Sequence, residues 1–357
     1  MPRPTLSDIA QAVGCSKNTV SLALRGDRQI PERTRARIRD AADQLGYQPN
    51  AVLSHLMAQL RASRTTQLQA KLALVNANRD PAAFRSHPTI PTYVEGCTSR
   101  ATKLGYAFDP FWLHDPELNA KRWLRILRAR GIKGLVLVGL MDTNHLRDEL
   151  RPVWEEFPTV VTGVRTRDPA LSFSSVDHHN LALMAFEQAI ALGYRRPGLV
   201  LDDVIDALVE RRFSAGYLGQ RARPPAEAIP VFSEAGLGDK APPNFRAWLD
   251  EHRPDVVFTL YNHVLTWLKA AGQHVPTDIG VIQLEWRATR PEIAGMNLHN
   301  FVTGEAAVDM VVSQIHNNEV GVQDFPRATL IGATWVHGGS VRAAAPMQRR
   351  RTAKKTR

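Results

Sequence analysis

Residues 6–26 read LSDIAQAVGCSKNTVSLALRG, and this stretch decides the fold of the N-terminal end. Leu6, Ile9, Ala10 and Val13 recur at helical spacing, and Gly14 stops the pattern. Ser16 is placed to cap a second helix, with Thr19, Val20, Ala23 and Leu24 along one face and Gly26 at its end. Pro31 opens a third helix that carries Thr34, Ile38, Ala41, Ala42 and Leu45 on one stripe and charged residues opposite. Gly46 closes it. Two short helices joined through a Gly-containing turn, with a third to complete a small core, predict a helix-turn-helix module over residues 1–48.

Further along, Asn50 can cap a short amphipathic helix over 51–60, and the polar run 61–70 reads as a linker, so 49–70 form a connecting unit. From Lys71 the texture changes to strands alternating with helices. Strands are predicted at Leu72–Asn76, Tyr106–Phe111, Gly134–Gly139, Pro158–Gly163, Gly198–Asp202, Val256–Leu260 and Gly280–Leu284. Helices such as Thr92–Leu104 and Glu117–Arg130 separate them. Short apolar strands alternating with helices predict parallel sheets covered on both faces. Residues 71–341 exceed one sheet, so two α/β subdomains are expected. Residues 342–357 lack apolar periodicity and read as a basic, disordered tail.

The 357-residue chain is 44% hydrophobic and 22% charged, which fits a globular protein of more than one domain. No run of about 18 apolar residues is present, so no membrane span is expected. Met1 to Leu6 lacks an export signal's apolar segment, and a cytoplasmic protein is expected. Cys15 and Cys97 give no disulfide framework and read as small buried fillers. The net charge of +10 is unevenly spread. Residues 1–64 hold ten Lys/Arg against five Asp/Glu, and 349–357 hold six Lys/Arg and no acid, which leaves the middle nearly neutral. Such segregation points to a polyanion partner at the ends. The tail has two readings, extra DNA affinity through counterion release or a solubilising end. No GxSxG, GxxxxGK[ST], HExxH or CxxC occurs, so neither an enzyme nor a cofactor is expected. His178-His179 lacks a third ligand at recognisable spacing, so no metal is expected either.

Leu6-Ser7-Asp8-Ile9-Ala10, Gly14-Cys15-Ser16, Thr19-Val20-Ser21, Thr34-Arg35 and Leu45-Gly46-Tyr47-Gln48-Pro49-Asn50 resemble, in register, the lactose-repressor family of bacterial regulators. A looser likeness runs on through Val176 and Asn180, Leu192-Gly193-Tyr194-Arg195, Val275-Pro276-Thr277-Asp278-Ile279 and Pro326. The resemblance implies an all-α helix-turn-helix headpiece on an α/β periplasmic-binding-protein-like core of two Rossmann-like subdomains, with an effector cleft between them. It further implies a homodimer that binds double-stranded DNA at a near-palindromic operator, with repression as the default. The alternative is a ligand-binding protein of the periplasmic-binding type without DNA function.

The second helix of a helix-turn-helix enters the major groove with its N-terminal residues at base edges. Lys17 suits guanine O6/N7 and Asn18 suits adenine N6/N7. Ser16, Thr19 and Ser21 carry hydroxyls suited to phosphate oxygens, and Arg25 suits a phosphate as well. Leu22 stands where the family commonly has an Arg that contacts guanine, so only apolar contact is available and the operator should differ there. The segment from Asn50 resembles the family's hinge helix. Leu56 occupies the place of the residue that wedges the central base step in the minor groove, and Leu53 stands where Ala is usual.

For the core, sugar-responsive relatives place an Arg three residues before a helical Gly and an Asp after an Asn that follows a strand. Here Phe213 stands three before Gly216, with Arg212 one position earlier, and His263 follows Asn262. The usual hydroxyl-binding groups are displaced, so an ordinary neutral sugar is not the expected effector. Arg212, Phe213, His263 and Trp286 are the candidate contacts for an aromatic or anionic small molecule.

Overall fold

A computed structural model of the chain describes residues 5–24, 30–47, 70–221, 229–235, 238 and 240–343, the side chains of Asn18 and Arg221 apart. The chain divides into two units, Met1–Leu68 and Gln69–Arg357. Arg25, Asn50, Leu53 and Leu56 lie outside the described residues, as do the expected helix at 51–60 and the basic run 349–357.

In the first unit, α1 (Leu6–Val13), α2 (Lys17–Leu24) and α3 (Glu32–Gln44) form three short helices. The Asp8 carboxylate accepts from the Thr5 backbone N–H at 2.6 Å and from its hydroxyl at 2.8 Å, which ties down the start of α1. Those bonds hold the Asp8 carboxyl below its usual range. Gly14 ends α1 at φ 67°, a left-handed position that a side chain would strain, and so turns the chain towards α2. Ile9, Ala10, Val20, Ala23, Ile38 and Ala42 make the buried core. Arg37 on α3 donates to the Val13 carbonyl at 3.1 Å and so fastens α3 to the turn between α1 and α2. Cys15, in that turn, is half-buried rather than a core filler. Leu45 is also 41% exposed, because it lies past the end of α3.

The second unit begins with five strands: β1 (Ala70–Asn76), β2 (Tyr106–Trp112), β3 (Ile132–Val138), β4 (Thr159–Thr162) and β5 (Ser172–Val176). Helices α4 (Ala83–Ser86), α5 (Ile90–Lys103), α6 (Ala120–Ala129) and α7 (Arg151–Glu156) lie between them. The chain then passes through α8 (His178–Ala191) into β6 (Pro197–Val200), α9 (Asp203–Leu208), α10 (Arg212–Arg221), α11 (Pro243–His252), β7 (Val256–Thr259), α12 (His263–Ala270), β8 (Gly280–Gln283) and β9 (Ala294–Asn297). It returns through α13 (Asn300–His316) to β10 (Ala328–Ile331) and ends at β11 (Thr334–Val336). One sheet has the order β10-β5-β4-β3-β1-β2 and the other β11-β9-β8-β7-β6. Each sheet therefore completes itself with a strand from the far end of the chain, and the backbone crosses between subdomains three times. All pairings are parallel except that of β11 with β9, an antiparallel edge that departs from the expected all-parallel pattern.

The sequence reading missed β5, β9, β10 and β11. In β5, SFSSV, every residue is buried although three are serines. Their hydroxyls are bonded: Ser174 donates to the Thr303 carbonyl at 2.9 Å, Ser175 donates to the Gly163 carbonyl at 2.7 Å, and Ser172 accepts from the Arg327 N–H at 3.0 Å. A buried polar strand is affordable when its polar atoms are paired. Among the described residues no helix is long and apolar enough to cross a membrane, and no group of His, Cys, Asp or Glu is placed to hold a metal ion.

Helices α5 and α13 cross at glycines. A Cβ on Gly96 would lie 2.0 Å from the Phe301 carbonyl oxygen, and one on Gly304 would lie 2.3 Å from the Tyr93 carbonyl oxygen. Cys97 sits in the same contact, its thiol donating to the Gly304 carbonyl at 3.3 Å and its pKa raised to about 12 by burial. Gly304→Ala should therefore cost about 1–3 kcal/mol of stability, since backbone rather than a movable side chain meets the new methyl. Gly219→Ala, on α10 with nothing within 4 Å, should be neutral or stabilising by up to about 1 kcal/mol. Thermal or urea unfolding checks both, and equal effects would contradict the crossing geometry.

His178 opens α8 and packs edge-on against Phe213, with ring centroids 4.8 Å apart. Burial, and then the nearby Arg212, lower its pKa to about 4. In the unfolded chain the imidazole titrates near about 6.5, so between those values only the unfolded state takes up the proton. This contribution to stability is full above about pH 6.5 and falls as the pH drops towards 4, by about 3 kcal/mol in all. His178→Phe should flatten that slope in unfolding titrations at pH 7 and pH 5. An unchanged slope would mean that His178 is not the titrating group.

Candidate functional site

Two surfaces carry chemistry, one on each unit. On the first, Val20 and Ala23 turn α2 inward, which leaves Lys17 exposed and Thr19, Ser21 and Leu22 half-buried. Ser16 caps the helix as its sequence position predicts: its hydroxyl oxygen accepts from the Thr19 N–H at 3.1 Å and lies 2.9 Å from the Thr19 hydroxyl. That pairing orients both hydroxyls at the helix start, beside the exposed Lys17 ammonium. The remaining free N–H groups of the first turn add a partial positive charge at the same end. A cation, two hydroxyls and a helix N-terminus together make a surface suited to phosphate oxygens and base acceptors.

On the second unit, the loops after the strands of both sheets face a common cleft, the position where α/β sheets hold ligands. A cavity of about 700 Å³ lies there, lined by Asp142, Asn144 and Arg167 of the first subdomain and by Asp203, Glu210 and Arg211 of the second. Arg212 Nη2 lies 3.1 Å from the Glu210 carboxylate, and Arg211 pairs with Asp203 at 2.7 Å. Glu210 and Arg211 both hold left-handed backbone, at φ 59° and 57°, conformations that cost non-glycine residues about 1–3 kcal/mol each.

Away from Glu210 a second set of polar groups joins the subdomains. The Thr89 hydroxyl donates to Glu285 at 2.7 Å, and Arg287 reaches both Thr89, at 3.3 Å, and Glu285, at 3.1 Å. His87 is close enough for Glu285 and Arg287 to act on its titration, but burial is the larger cause and lowers its pKa.

The four effector contacts named from the sequence fall in different surroundings. Arg212 lies beside the cleft, paired with Glu210. Phe213 is only 2% exposed, packed under His178. His263 Nε2 lies 2.7 Å from the Ala235 carbonyl, and its ring stacks on Tyr261 at 5.1 Å. Trp286 follows Glu285 and is half-buried, and its buried indole N–H has no hydrogen-bond partner among the described residues. Glu210, Glu285, Thr89, Asn144, Arg165 and Arg167 were not foreseen. The signal that finds them is positional, since each charged member stands within a few residues of a strand's carboxyl end or the helix after it.

Comparisons with known proteins agree with this architecture. Residues 5–50 match the family described as bacterial regulatory proteins, lacI family, and residues 186–341 match a periplasmic binding protein-like domain. The transcriptional regulator PtxS of Pseudomonas plecoglossicida is 27% identical over 54% of this chain, a match that spans about half, 52%, of that protein. PtxS of Pseudomonas putida is 25% identical over 79% of this chain and 80% of its own. Among solved structures, the complex of the transcriptional regulator CelR with cellobiose has a TM-score of 0.58 at 21% identity, covering 95% of this chain and all of that one. The lac repressor dimer bound to operator and the anti-inducer ONPF has a TM-score of 0.55 at 17% identity, covering 96% and 100%. At such identities the structural likeness speaks for the fold, while the sequence match of the headpiece speaks for the family. By its headpiece, residues 5–50, the chain is placed with the lacI family of bacterial regulatory proteins, and residues 186–341 carry a periplasmic binding protein-like domain.

Proposed function

We propose that this regulator is a repressor that binds a near-palindromic operator as a homodimer and changes its DNA affinity when a small molecule enters the core cleft. The observation that carries the reading is one chain with both an outward Lys17 at the start of α2 and a charged cavity between two subdomains. A repressor needs no surface beyond the one that holds it on the promoter, since occupancy alone excludes other proteins. The solved lac repressor dimer, bound to operator and an anti-inducer, supports the same division of labour.

On the DNA side the proposed contacts are Ser16, Lys17, Asn18, Thr19, Ser21, Leu22 and Arg25, with Asn50, Leu53 and Leu56 reaching the minor groove. On the effector side, Arg212 and Trp286 are the proposed contacts of the original four. Phe213 and His263, buried or already bonded, act by holding α10 and α12 in place. The CelR complex contains cellobiose, but the charge lining this cavity favours a different class of ligand.

Lys17→Ala should weaken specific operator binding by about 1–3 kcal/mol while hardly changing affinity for random DNA. Competition titrations on both DNAs at fixed salt test this, and equal losses on the two would mean that Lys17 only neutralises phosphate. Leu22→Arg should shift the preferred base pair at one position of each half-site towards guanine. Selection of bound sequences with the two proteins reads that shift, and an identical consensus would remove Leu22 from the reading face.

A further inference from the structure

Glu210 is surrounded by three guanidinium groups. Arg212 of its own subdomain lies at 3.1 Å, while Arg165 and Arg167 reach it across the cleft at 3.7 and 3.9 Å. Arg165 also lies over the Phe173 ring, 5.1 Å from its centroid. Neither Arg165 nor Arg167 side chain donates a hydrogen bond to a protein acceptor among the described residues, although each carries five donors. Their forks are therefore unfilled, and one carboxylate is shared among three cations. In the same cavity the Asn144 side chain makes no hydrogen bond among the described residues, yet the residue is only 8% exposed. Asp142 and Asp203 add carboxylates at the rim.

We propose that the cleft takes an effector carrying a carboxylate or phosphate together with hydroxyl groups, its oxyanion held by Arg165, Arg167 and Arg212 in the place of the Glu210 side chain. This rests on the reading of the cleft as the effector site. Arginine forks bind planar or tetrahedral oxyanions through paired, charge-assisted hydrogen bonds. Glu210 satisfies them poorly, because the two arginines of the first subdomain stand beyond hydrogen-bond distance from it. The carboxylate is also presented by left-handed backbone at Glu210 and Arg211, so its withdrawal can release strain. Asn144 and the rim carboxylates then supply donors and acceptors for the hydroxyls. Since Arg165 and Arg167 belong to one subdomain and Arg212 to the other, a bound oxyanion draws the two together more strongly than Glu210 does.

The test is calorimetry on the full chain at fixed ionic strength with gluconate, glucose 6-phosphate, inorganic phosphate and glucose. Gluconate or glucose 6-phosphate is expected to bind roughly tenfold or more tightly than glucose, and which of the two wins separates carboxylate from phosphate. Arg165→Gln and Arg167→Gln should each weaken that anion by roughly tenfold, and Glu210→Gln, by removing the competing charge, should tighten it. Thermal melts of the three variants confirm folding, and the four wild-type titrations decide the matter if a variant fails to fold. Glucose binding as tightly as both anions, anion binding indifferent to Arg165 and Arg167, or no binding of any probe to wild type and Glu210→Gln would overturn the proposal. An anion that binds with these variant effects but leaves operator affinity unchanged keeps the oxyanion site and removes its regulatory role. A neutral sugar that releases DNA does the reverse.

Discussion

The three crossings of the backbone between subdomains constrain everything else in the core. Because β10 and β11 come from the far end of the chain, neither sheet is complete until the whole core has been traversed. The carboxyl ends of both sets of parallel strands are thereby brought to face each other across one cleft. Residues nearly 50 positions apart in sequence, Arg165 and Arg212, meet there around a single carboxylate. A pair of subdomains joined by three short connections can change its relative angle with few backbone dihedrals, which is the kind of two-state element that a ligand can bias. The α5–α13 crossing at Gly96 and Gly304 ties the returning chain closely to the first subdomain.

Local chemistry was legible in the sequence, and remote chemistry was not. The Gly14 stop and the Ser16 cap rest on neighbours within a few residues, and each takes the expected form. Strands β1, β3, β7 and β8 announced themselves as apolar runs. β5 did not, because its serines satisfy their hydroxyls against Thr303, Gly163 and the Arg327 backbone, two of which lie more than 120 residues away. β9, AGMN, has too little side chain to read as a strand at all.

The cleft illustrates the same limit at the level of function. Family spacing directs attention to Phe213 and His263, yet Phe213 is buried under His178 and His263 is bonded to the Ala235 carbonyl. Glu210, Arg165 and Arg167 belong to no spacing pattern, because their proximity is created by the fold. Departure from the relatives' residues at two positions was readable. The cluster of Arg165, Arg167 and Arg212 around Glu210 exists only because the fold sets the two subdomains opposite one another.

For the headpiece, exposure and chemistry point the same way: Lys17 projects outward from the capped start of α2 while Val20 and Ala23 anchor the helix beneath it. The central claim is that this surface, presented twice by a dimer, reads a defined DNA sequence. Selection from a random DNA pool followed by footprinting of the winners measures this most directly. The predicted result is a pair of inverted half-sites with centres about one helical turn apart or closer. Recovery of no common sequence, or of a single half-site bound by one subunit, would contradict it.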